Sequence, residues 1–364
     1  MRTELLDYDL PDAAIARFPT HARDGARLLV LDGDGHGGHD ARLRDSRIVD
    51  FPELVPEGAL VVLNATRVRR ARVFGARRPG GGRVEFLFIE QVEAVEARSD
   101  GRERWQVLGR ANKPLSAGTL IDADAGLTVE VLSPLEGGVL DVAVSVASKE
   151  SVEAVLERAG HVPIPPYLDR GDVPEDATRY QTVYAEQIGS VAAPTAGLHL
   201  TEALLARLEA RGVRTARLHL SVGLGTFRPV NTDDLDQHPM HVERYSVPRS
   251  VAEAVSEVRR RGAPVVAVGT TVVRALESAA DPSRPGEVNA VEDAETRLLI
   301  QPGYRFRVVD ALLTNFHQPR STLLALVSAF AGYDRTFAAY RHALSSGYRF
   351  LSYGDALWIP RRAD

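Results

Sequence analysis

The sequence predicts an α/β protein of two domains, in which a small all-β barrel domain is inserted into an α/β body. Three observations indicate this fold. The chain has 364 residues, enough for two domains of ordinary size. Residues 67–150 show short strand patterns separated by glycines, and from residue 151 onward strand and helix patterns alternate. We therefore expect residues 1–63 together with 151–364 to form the α/β domain and residues 64–150 to form the barrel.

The first segment holds one predicted helix and two apolar strands. The helix is expected over residues 11–18 and the strands over residues 27–31 and 59–63. Short apolar runs that end at a turn former, as the second does at Asn64, are typical of buried strands. The simplest topology places both strands in the sheet of the carboxy-terminal part of the chain.

The middle segment is predicted to be all-β. Its four clearest strands are expected over residues 83–89, 105–108, 127–132 and 139–144. Glycines between these strands mark turns, and short strands at this spacing favour a small barrel.

The last segment alternates helices and strands. Ser250 and Glu253 have the spacing of a capping box, which predicts that Ser250 begins a helix and that Gly262 ends it. The other predicted elements are a helix over 201–211, a strand over 217–222, a strand over 264–268, a helix over 270–278, a helix over 330–345 and a strand over 349–359. Such alternation is typical of an α/β sheet.

Composition excludes several classes of protein. The formal net charge is -5, so the chain lacks the general basic coat of a pure nucleic-acid binder, although a local basic patch remains possible. The absence of cysteine excludes disulfides, cysteine-bound zinc and iron–sulfur clusters. No apolar run approaches the roughly 20 residues of a membrane span, and the amino terminus lacks a signal pattern. We expect a cytoplasmic monomer that does not bind membranes.

Two loops carry polar side chains at predicted helix starts. Residues 192–201 read Ala-Ala-Pro-Thr-Ala-Gly-Leu-His-Leu-Thr, which places Thr195 and His199 in a tight turn before a helix. Gly269-Thr270-Thr271 joins a buried strand to the next helix. Free amides at a helix start can hold polar or anionic ligand groups. The alternative for the second loop is a well-capped helix whose Arg274 and Glu277 form a surface ion pair.

Three further segments give weaker signals. Gly223-Leu-Gly225-Thr226 resembles half of a phosphate-binding loop, and a structural turn is the alternative. His241 and Glu243 would share one face of a strand, as a base and its orienting carboxylate or as part of a surface strand. Asn315 and His317 lie in a polar loop whose side chains would face a site or satisfy the backbone.

Seven arginines occur with no acidic residue between them, and the first acidic residue after them is Glu85. Such a run can bind phosphates, as in tRNA, and the alternative is a solvated face of the β domain. The seven are Arg67, Arg69, Arg70, Arg72, Arg77, Arg78 and Arg83.

Several of these strings together resemble the S-adenosylmethionine:tRNA ribosyltransferase-isomerase family of queuosine biosynthesis. The resemblance covers essentially the whole chain. The strings include residues 7–11, 23–32, 163–167, 179–185, 192–201, 221–227, 268–271, 302–304, 314–330 and 348–356.

The resemblance implies a reaction. The family moves the ribosyl part of S-adenosylmethionine onto the aminomethyl group of a deazaguanine in tRNA, and adenine and methionine leave; no metal is required. Because the sulfonium acidifies its neighbouring methylene protons, a general base must reach one of them. The family also has an α/β body with an attached β-barrel.

The resemblance also implies site residues. His199 is expected to act as the base or as a proton shuttle, with His241 or Glu243 as competitor. The residues expected to bind S-adenosylmethionine are Tyr180, Gln181, Thr182, Tyr184, Thr195, Thr226, Gly269, Thr270, Thr271, Arg274, Asn315 and His317.

Four positions depart from the family pattern. Ala65, Ser221, Val242 and Val272 stand where the family usually has Asp, His, Ser and Ser. Because each change removes a polar group within a motif, we expect a paralogue with a different acceptor or altered chemistry. The alternatives are an enzyme that uses the same donor with a small-molecule acceptor, and an inactive module that binds tRNA or a nucleoside.

Overall fold

A mixed sheet of nine strands and a closed barrel of six strands form most of the computed structural model. This confirms the predicted fold class. The structure describes residues 1–32, 42–93, 101–148, 150–223 and 230–360. Its strands are β1 (Arg27–Asp32), β2 (Arg42–Arg47), β3 (Leu60–Asn64), β4 (Thr66–Val68), β5 (Arg72–Arg78), β6 (Arg83–Glu93), β7 (Glu103–Ala111), β8 (Leu120–Ala123), β9 (Leu127–Pro134), β10 (Val139–Val146), β11 (Gln187–Ser190), β12 (Arg214–Leu220), β13 (Glu243–Val247), β14 (Val265–Val268), β15 (Val291–Thr296), β16 (Ala311–Asn315) and β17 (Ala356–Ile359).

Helices cover both faces of the large sheet. The helices of the described residues are α1 (Phe51–Leu54), α2 (Val152–Ala159), α3 (Asp176–Arg179), α4 (Glu202–Ala210), α5 (Arg249–Arg260), α6 (Thr270–Ser278), α7 (Thr322–Ala331) and α8 (Tyr333–Ser345), of which α2 packs on the barrel instead. In the described part of the chain, no helix is both long enough and apolar enough to cross a membrane.

The large sheet has the order β15-β13-β12-β3-β14-β16-β17-β1-β2. Its central strands β12, β3, β14 and β16 are parallel to one another. Strands β1 and β3, from the first segment of the chain, lie among strands from the last segment, as the sequence predicted. The domain boundaries at residues 64 and 150 stay a prediction.

The apolar run of β3 is buried on both faces. Leu60 and Val62 belong to the same apolar core as residues of α5, α6, α7 and α8, whereas Val61 and Leu63 belong to the core on the other face, with residues of α1 and α4. Successive side chains of a strand point to opposite faces, so a strand between two helical layers needs a continuous apolar sequence.

The barrel has the strand order β10-β7-β6-β5-β8-β9. Phe86, Phe88 and Trp105 fill its interior, and α2 adds Val155 and Leu156 to the same core. Strands β5 and β8 were not predicted, because β5 carries three arginines among its seven residues and β8 has only four residues, of which one is buried.

Four predicted elements were wrong in detail. Residues 11–18 contain only a 3-10 turn over Asp12–Ala14, because the chain then pairs its backbone with that of Phe350. Helix α5 begins at Arg249 after Pro248, without a side-chain cap, so Ser250 does not begin it.

The predicted helix over residues 330–345 begins too early, because residues 330 and 331 end α7, Gly332 breaks the chain direction with a φ of 89°, and α8 covers Tyr333–Ser345. The predicted strand over 349–359 shortens to β17, since Asp355 turns the preceding segment by accepting hydrogen bonds from the amides of Arg27 and Arg349.

Candidate functional site

The carboxyl ends of three parallel strands meet at one edge of the large sheet. Asn64 ends β3, Gly269 follows β14, and Asn315 ends β16. In open α/β sheets, ligands bind in the crevice outside the carboxyl ends of the strands. Two clefts open here, and they share Thr270, Thr271 and Leu323.

The first cleft, called the Asn315 cleft, is rich in hydroxyl and amide groups. Six of the residues predicted to bind S-adenosylmethionine line it: Thr195, Gly269, Thr270, Thr271, Asn315 and His317. Five other polar residues line the cleft without having been predicted: Thr314, Gln318, Ser321, Tyr167 and Ser352. All five lie in family-like strings, over residues 163–167, 314–330 and 348–356, which was a usable signal.

The second cleft, called the Arg274 cleft, combines one buried ion pair with apolar walls. Arg274 and Glu243 form the pair, and His241 lies beside them at an exposed position. The apolar walls are Met240, Leu298, Leu299, Ile300, Leu323 and Leu326.

Helix α6 begins between the two clefts. Gly269 precedes it with a φ of 93°, a conformation that favours glycine, and the helix has no side-chain cap. Thr271 Oγ1 accepts a hydrogen bond from Asn64 Nδ2 at 3.3 Å, which fixes the first turn to the end of β3. The first amides of a helix have no intrahelical acceptor, so this end suits polar or anionic ligand groups.

A chain of hydrogen bonds runs from the Asn315 cleft into the interior. Thr195 Oγ1 donates to Asn315 Oδ1 at 2.8 Å, and Asn315 Nδ2 donates to His199 Nε2 at 3.2 Å. His199 is buried and is not among the residues that line the two clefts. Burial, with the charges of Arg349 and Arg23, lowers the pKa of His199 to about 4.

His317 lines the Asn315 cleft in a fixed orientation. Its ring Nε2 lies 2.9 Å from Thr314 Oγ1, and its amide donates to the Tyr340 hydroxyl at 2.9 Å. Burial lowers the pKa of His317 to about 3. The imidazole is therefore neutral at physiological pH.

Arg274 is held by two contacts. It pairs with Glu243, and its Nε donates to the carbonyl of Leu298 at 3.0 Å. Burial lowers the pKa of Arg274 to about 10, which still leaves it charged at neutral pH. The alternative of a surface pair between Arg274 and Glu277 is wrong, because Glu277 is buried and accepts hydrogen bonds from the amides of residues 307–309.

The predicted residues at 180–184 lie outside both clefts. Gln181 Nε2 and Oε1 bind the backbone of Val68 at 2.6 and 2.9 Å. A Cβ on Gly197 would lie 2.1 Å from the Tyr184 hydroxyl and 3.0 Å from a methyl of Thr182. Tyr180, the fourth of these residues, is fully buried. Tyr180, Thr182 and Tyr184 thus pack against the loop over 193–199, whereas Gln181 holds Val68, and Thr226 lies outside the described residues.

Six of the seven arginines in the basic run bind groups within the chain. Arg67 pairs with Glu157, and Arg69 binds both carboxylate oxygens of Glu153 at 2.9 Å. The other internal contacts are those of Arg70, Arg72, Arg77 and Arg78 with Glu157, Glu85, Pro114 and Asp122. The run is therefore mostly part of the fold around the barrel.

The whole chain resembles known proteins. The model of the queuosine biosynthesis protein family matches residues 3–359. A Sorangium cellulosum protein named S-adenosylmethionine:tRNA ribosyltransferase-isomerase is 54% identical over 99% of this chain and 98% of that protein. A protein of the same name from Anaeromyxobacter dehalogenans is 48% identical over the full length of both chains.

A solved structure agrees with these relatives. The S-adenosylmethionine tRNA ribosyltransferase of Thermotoga maritima is 32% identical, with a TM-score of 0.52 over 98% of this chain and 99% of that one. The family model and the full-length relatives lead to one conclusion: the chain belongs to the queuosine biosynthesis protein family.

Proposed function

We propose that the protein transfers and isomerises the ribosyl group of S-adenosylmethionine onto the aminomethyl-deazaguanine of a tRNA in the cytoplasm, the step that forms epoxyqueuosine. One observation supports this most. Thr195, Thr270 and Asn315 come from three distant family-like strings and line one cleft at the carboxyl edge of the sheet. The full-length relatives at 54% and 48% identity carry the name of this activity.

The proposed reaction needs a base for a proton beside the sulfonium. His199 suits this poorly, because Nε2 already accepts from Asn315 and its pKa is lowered to about 4. Glu243 is paired with Arg274. His241 lines the Arg274 cleft and is exposed, so it can pass a proton on to solvent. We therefore assign the base to His241 and a positioning role to His199.

The departing adenine needs hydrogen-bond donors. The uncapped start of α6 offers amides beside the hydroxyls of Thr270 and Thr271, where the two clefts meet. Donors fixed by the fold need no rearrangement as charge develops on the leaving base. We therefore expect the reacting ribose to lie over the first turn of α6.

The four departures from the family pattern do not alter this proposal. Ala65 and Val272 are fully buried in the two packed layers of the large sheet. Ser221 and Val242 are partly exposed, and none of the four is among the described residues that line the two clefts. The observations therefore favour the family activity over a small-molecule acceptor or an inactive module.

The test is a product analysis. The protein is incubated with S-adenosylmethionine, alone or with tRNA that carries the aminomethyl-deazaguanine, and adenine and methionine are followed by mass spectrometry. We expect release only with that tRNA, and a tRNA with unmodified guanine is the control. Release without tRNA would indicate a small-molecule acceptor, and binding without release would indicate an inactive module.

A further inference from the structure

The buried pair in the Arg274 cleft has unused hydrogen-bonding groups. Arg274 and Glu243 are 7% exposed each. Arg274 Nη1 pairs with Glu243 Oε2, whereas Arg274 Nη2 has no hydrogen-bond partner within the described part of the chain. Both side chains line the cleft. A buried charged donor without a partner is unfavourable, so its retention points to a ligand that supplies one.

The charges define the chemistry of that ligand. The pair is neutral as a whole, so a ligand with a net charge would leave an uncompensated charge in a buried place. An α-amino-acid head group carries one carboxylate and one ammonium and is also neutral. Its carboxylate matches Arg274, whose planar fork suits carboxylate oxygens, and its ammonium matches Glu243.

The apolar walls of the Arg274 cleft fit the methylene arm that is attached to such a head group. Leu298, Leu299, Ile300 and Leu326 surround the pair with apolar surface. The two methylene groups of a methionyl arm would be desolvated favourably there. At its other end this cleft shares Thr270 and Thr271 with the Asn315 cleft, which leads toward polar groups.

We propose that Arg274 and Glu243 bind the amino-acid head group of the methionyl arm, with the carboxylate on Arg274 and the ammonium on Glu243. This inference rests on the proposed function and adds the direction in which the donor lies. The methionyl arm occupies the Arg274 cleft, and the nucleoside extends across the start of α6 into the Asn315 cleft.

The test compares ligands that differ only in the arm. S-adenosylhomocysteine has the whole head group, its decarboxylated analogue lacks the carboxylate, and 5′-methylthioadenosine lacks the head group altogether. Calorimetry on the full-length protein should give affinities that fall by about 10- to 100-fold when the carboxylate is removed. This comparison uses the unmodified protein and does not depend on the folding of any variant.

A variant then assigns the effect to Arg274. Arg274→Gln should lower the affinity for S-adenosylhomocysteine by a similar factor and leave the affinity for 5′-methylthioadenosine unchanged. Arg244→Gln is the matched control, because Arg244 lies one position from Glu243 but pairs with Asp293 at the surface. It should bind all three ligands as the unmodified protein does.

Two results would overturn the inference. One is equal binding of the three ligands by the unmodified protein; the other is an equal loss for all three in Arg274→Gln, which would mean that Arg274 only shapes the cleft. If the protein still releases adenine with tRNA in either case, the proposed function stands and only this placement fails. If it neither binds the ligands nor releases adenine, the proposed function fails with it.

Discussion

Asn315 Nδ2 donates a hydrogen bond to His199 Nε2 at 3.2 Å, and the same amide accepts from Thr195 at 2.8 Å. An amide can do both only when the acceptor nitrogen of the imidazole carries no proton. The lowered pKa of His199, about 4, is consistent with that state. We therefore propose that His199 orients Asn315 toward the cleft, and the expectation that His199 is the base stays a prediction to be tested.

Substitution of His199 should separate orientation from chemistry. Glutamine can place an oxygen near the position of Nε2, so His199→Gln should keep kcat within about fivefold, whereas His199→Ala should lose about 10- to 100-fold because Asn315 is released. Steady-state rates of adenine release measure both. If His199→Gln is as inactive as His199→Ala, and the acidic limb of the pH profile disappears, His199 is the base instead.

Stability should fall on the acid side through the buried histidines. Burial lowers the pKa of His317 to about 3, from 6.5 in the unfolded chain. Between these values the unfolded chain binds a proton that the folded chain does not, so the free energy of unfolding decreases as pH falls below about 6.5. Each such histidine contributes a slope of about 1.4 kcal/mol per pH unit.

Urea unfolding between pH 5 and pH 7 measures this slope. His317→Gln should reduce this slope by the contribution of about one proton. His21→Gln, at an exposed position, is the matched control. An unchanged slope in His317→Gln would contradict the assignment of His317 as a buried neutral group.

Gly197 should tolerate no side chain. A Cβ there would lie 2.1 Å from the Tyr184 hydroxyl, so Gly197→Ala should destabilise the protein by about 1–3 kcal/mol. Tyr184→Phe should cost little, because that buried hydroxyl has no hydrogen-bond partner among the described residues. The double variant should recover part of the loss in thermal unfolding.

The same variants test whether Tyr184 binds the donor. Tyr184→Phe should leave KM for S-adenosylmethionine unchanged, since Tyr184 is not among the residues that line the clefts. A severalfold rise in KM with normal stability would show that Tyr184 contributes to binding of the donor.

The basic run should affect stability more than RNA binding. Arg69 is 8% exposed, binds Glu153 and also donates to the carbonyl of Ile89 at 2.8 Å. Arg69→Gln should cost about 2 kcal/mol, whereas Arg67→Gln, in an exposed pair, should cost less than about 1 kcal/mol. Neither should change the salt dependence of tRNA affinity. If the slope of log tRNA affinity against log salt concentration fell by about one in both variants, these arginines would contact phosphates instead.

Strong local patterns were enough to predict much of the fold. Helix α6 was predicted with its observed bounds, because an apolar strand, a glycine and an amphipathic stretch follow one another without interruption. Strand β5 was missed, since in a barrel its charged side chains point outward and pair with distant residues. Such pairing is tertiary and leaves no local signal.

The candidate site was predictable to a similar extent. Thr270 comes just after a predicted strand, so the sequence could place it at the sheet edge, whereas Asn315 ends β16, which was not predicted, and was expected only in a polar loop. The partners of Arg274 and Glu277 could not be found in this way. The spacing of three residues suggested that they pair with each other, but Glu277 binds amides about 30 residues away and Arg274 pairs with Glu243.

The central claim is that the donor lies across the start of α6, in the two clefts that share Thr270 and Thr271. A crystal structure of the protein with S-adenosylhomocysteine tests it most directly. The account predicts density for the nucleoside beside Asn315 and for the amino-acid group beside Arg274. Density at any other place, such as the cleft on the barrel near Arg83 and Arg110, would contradict it.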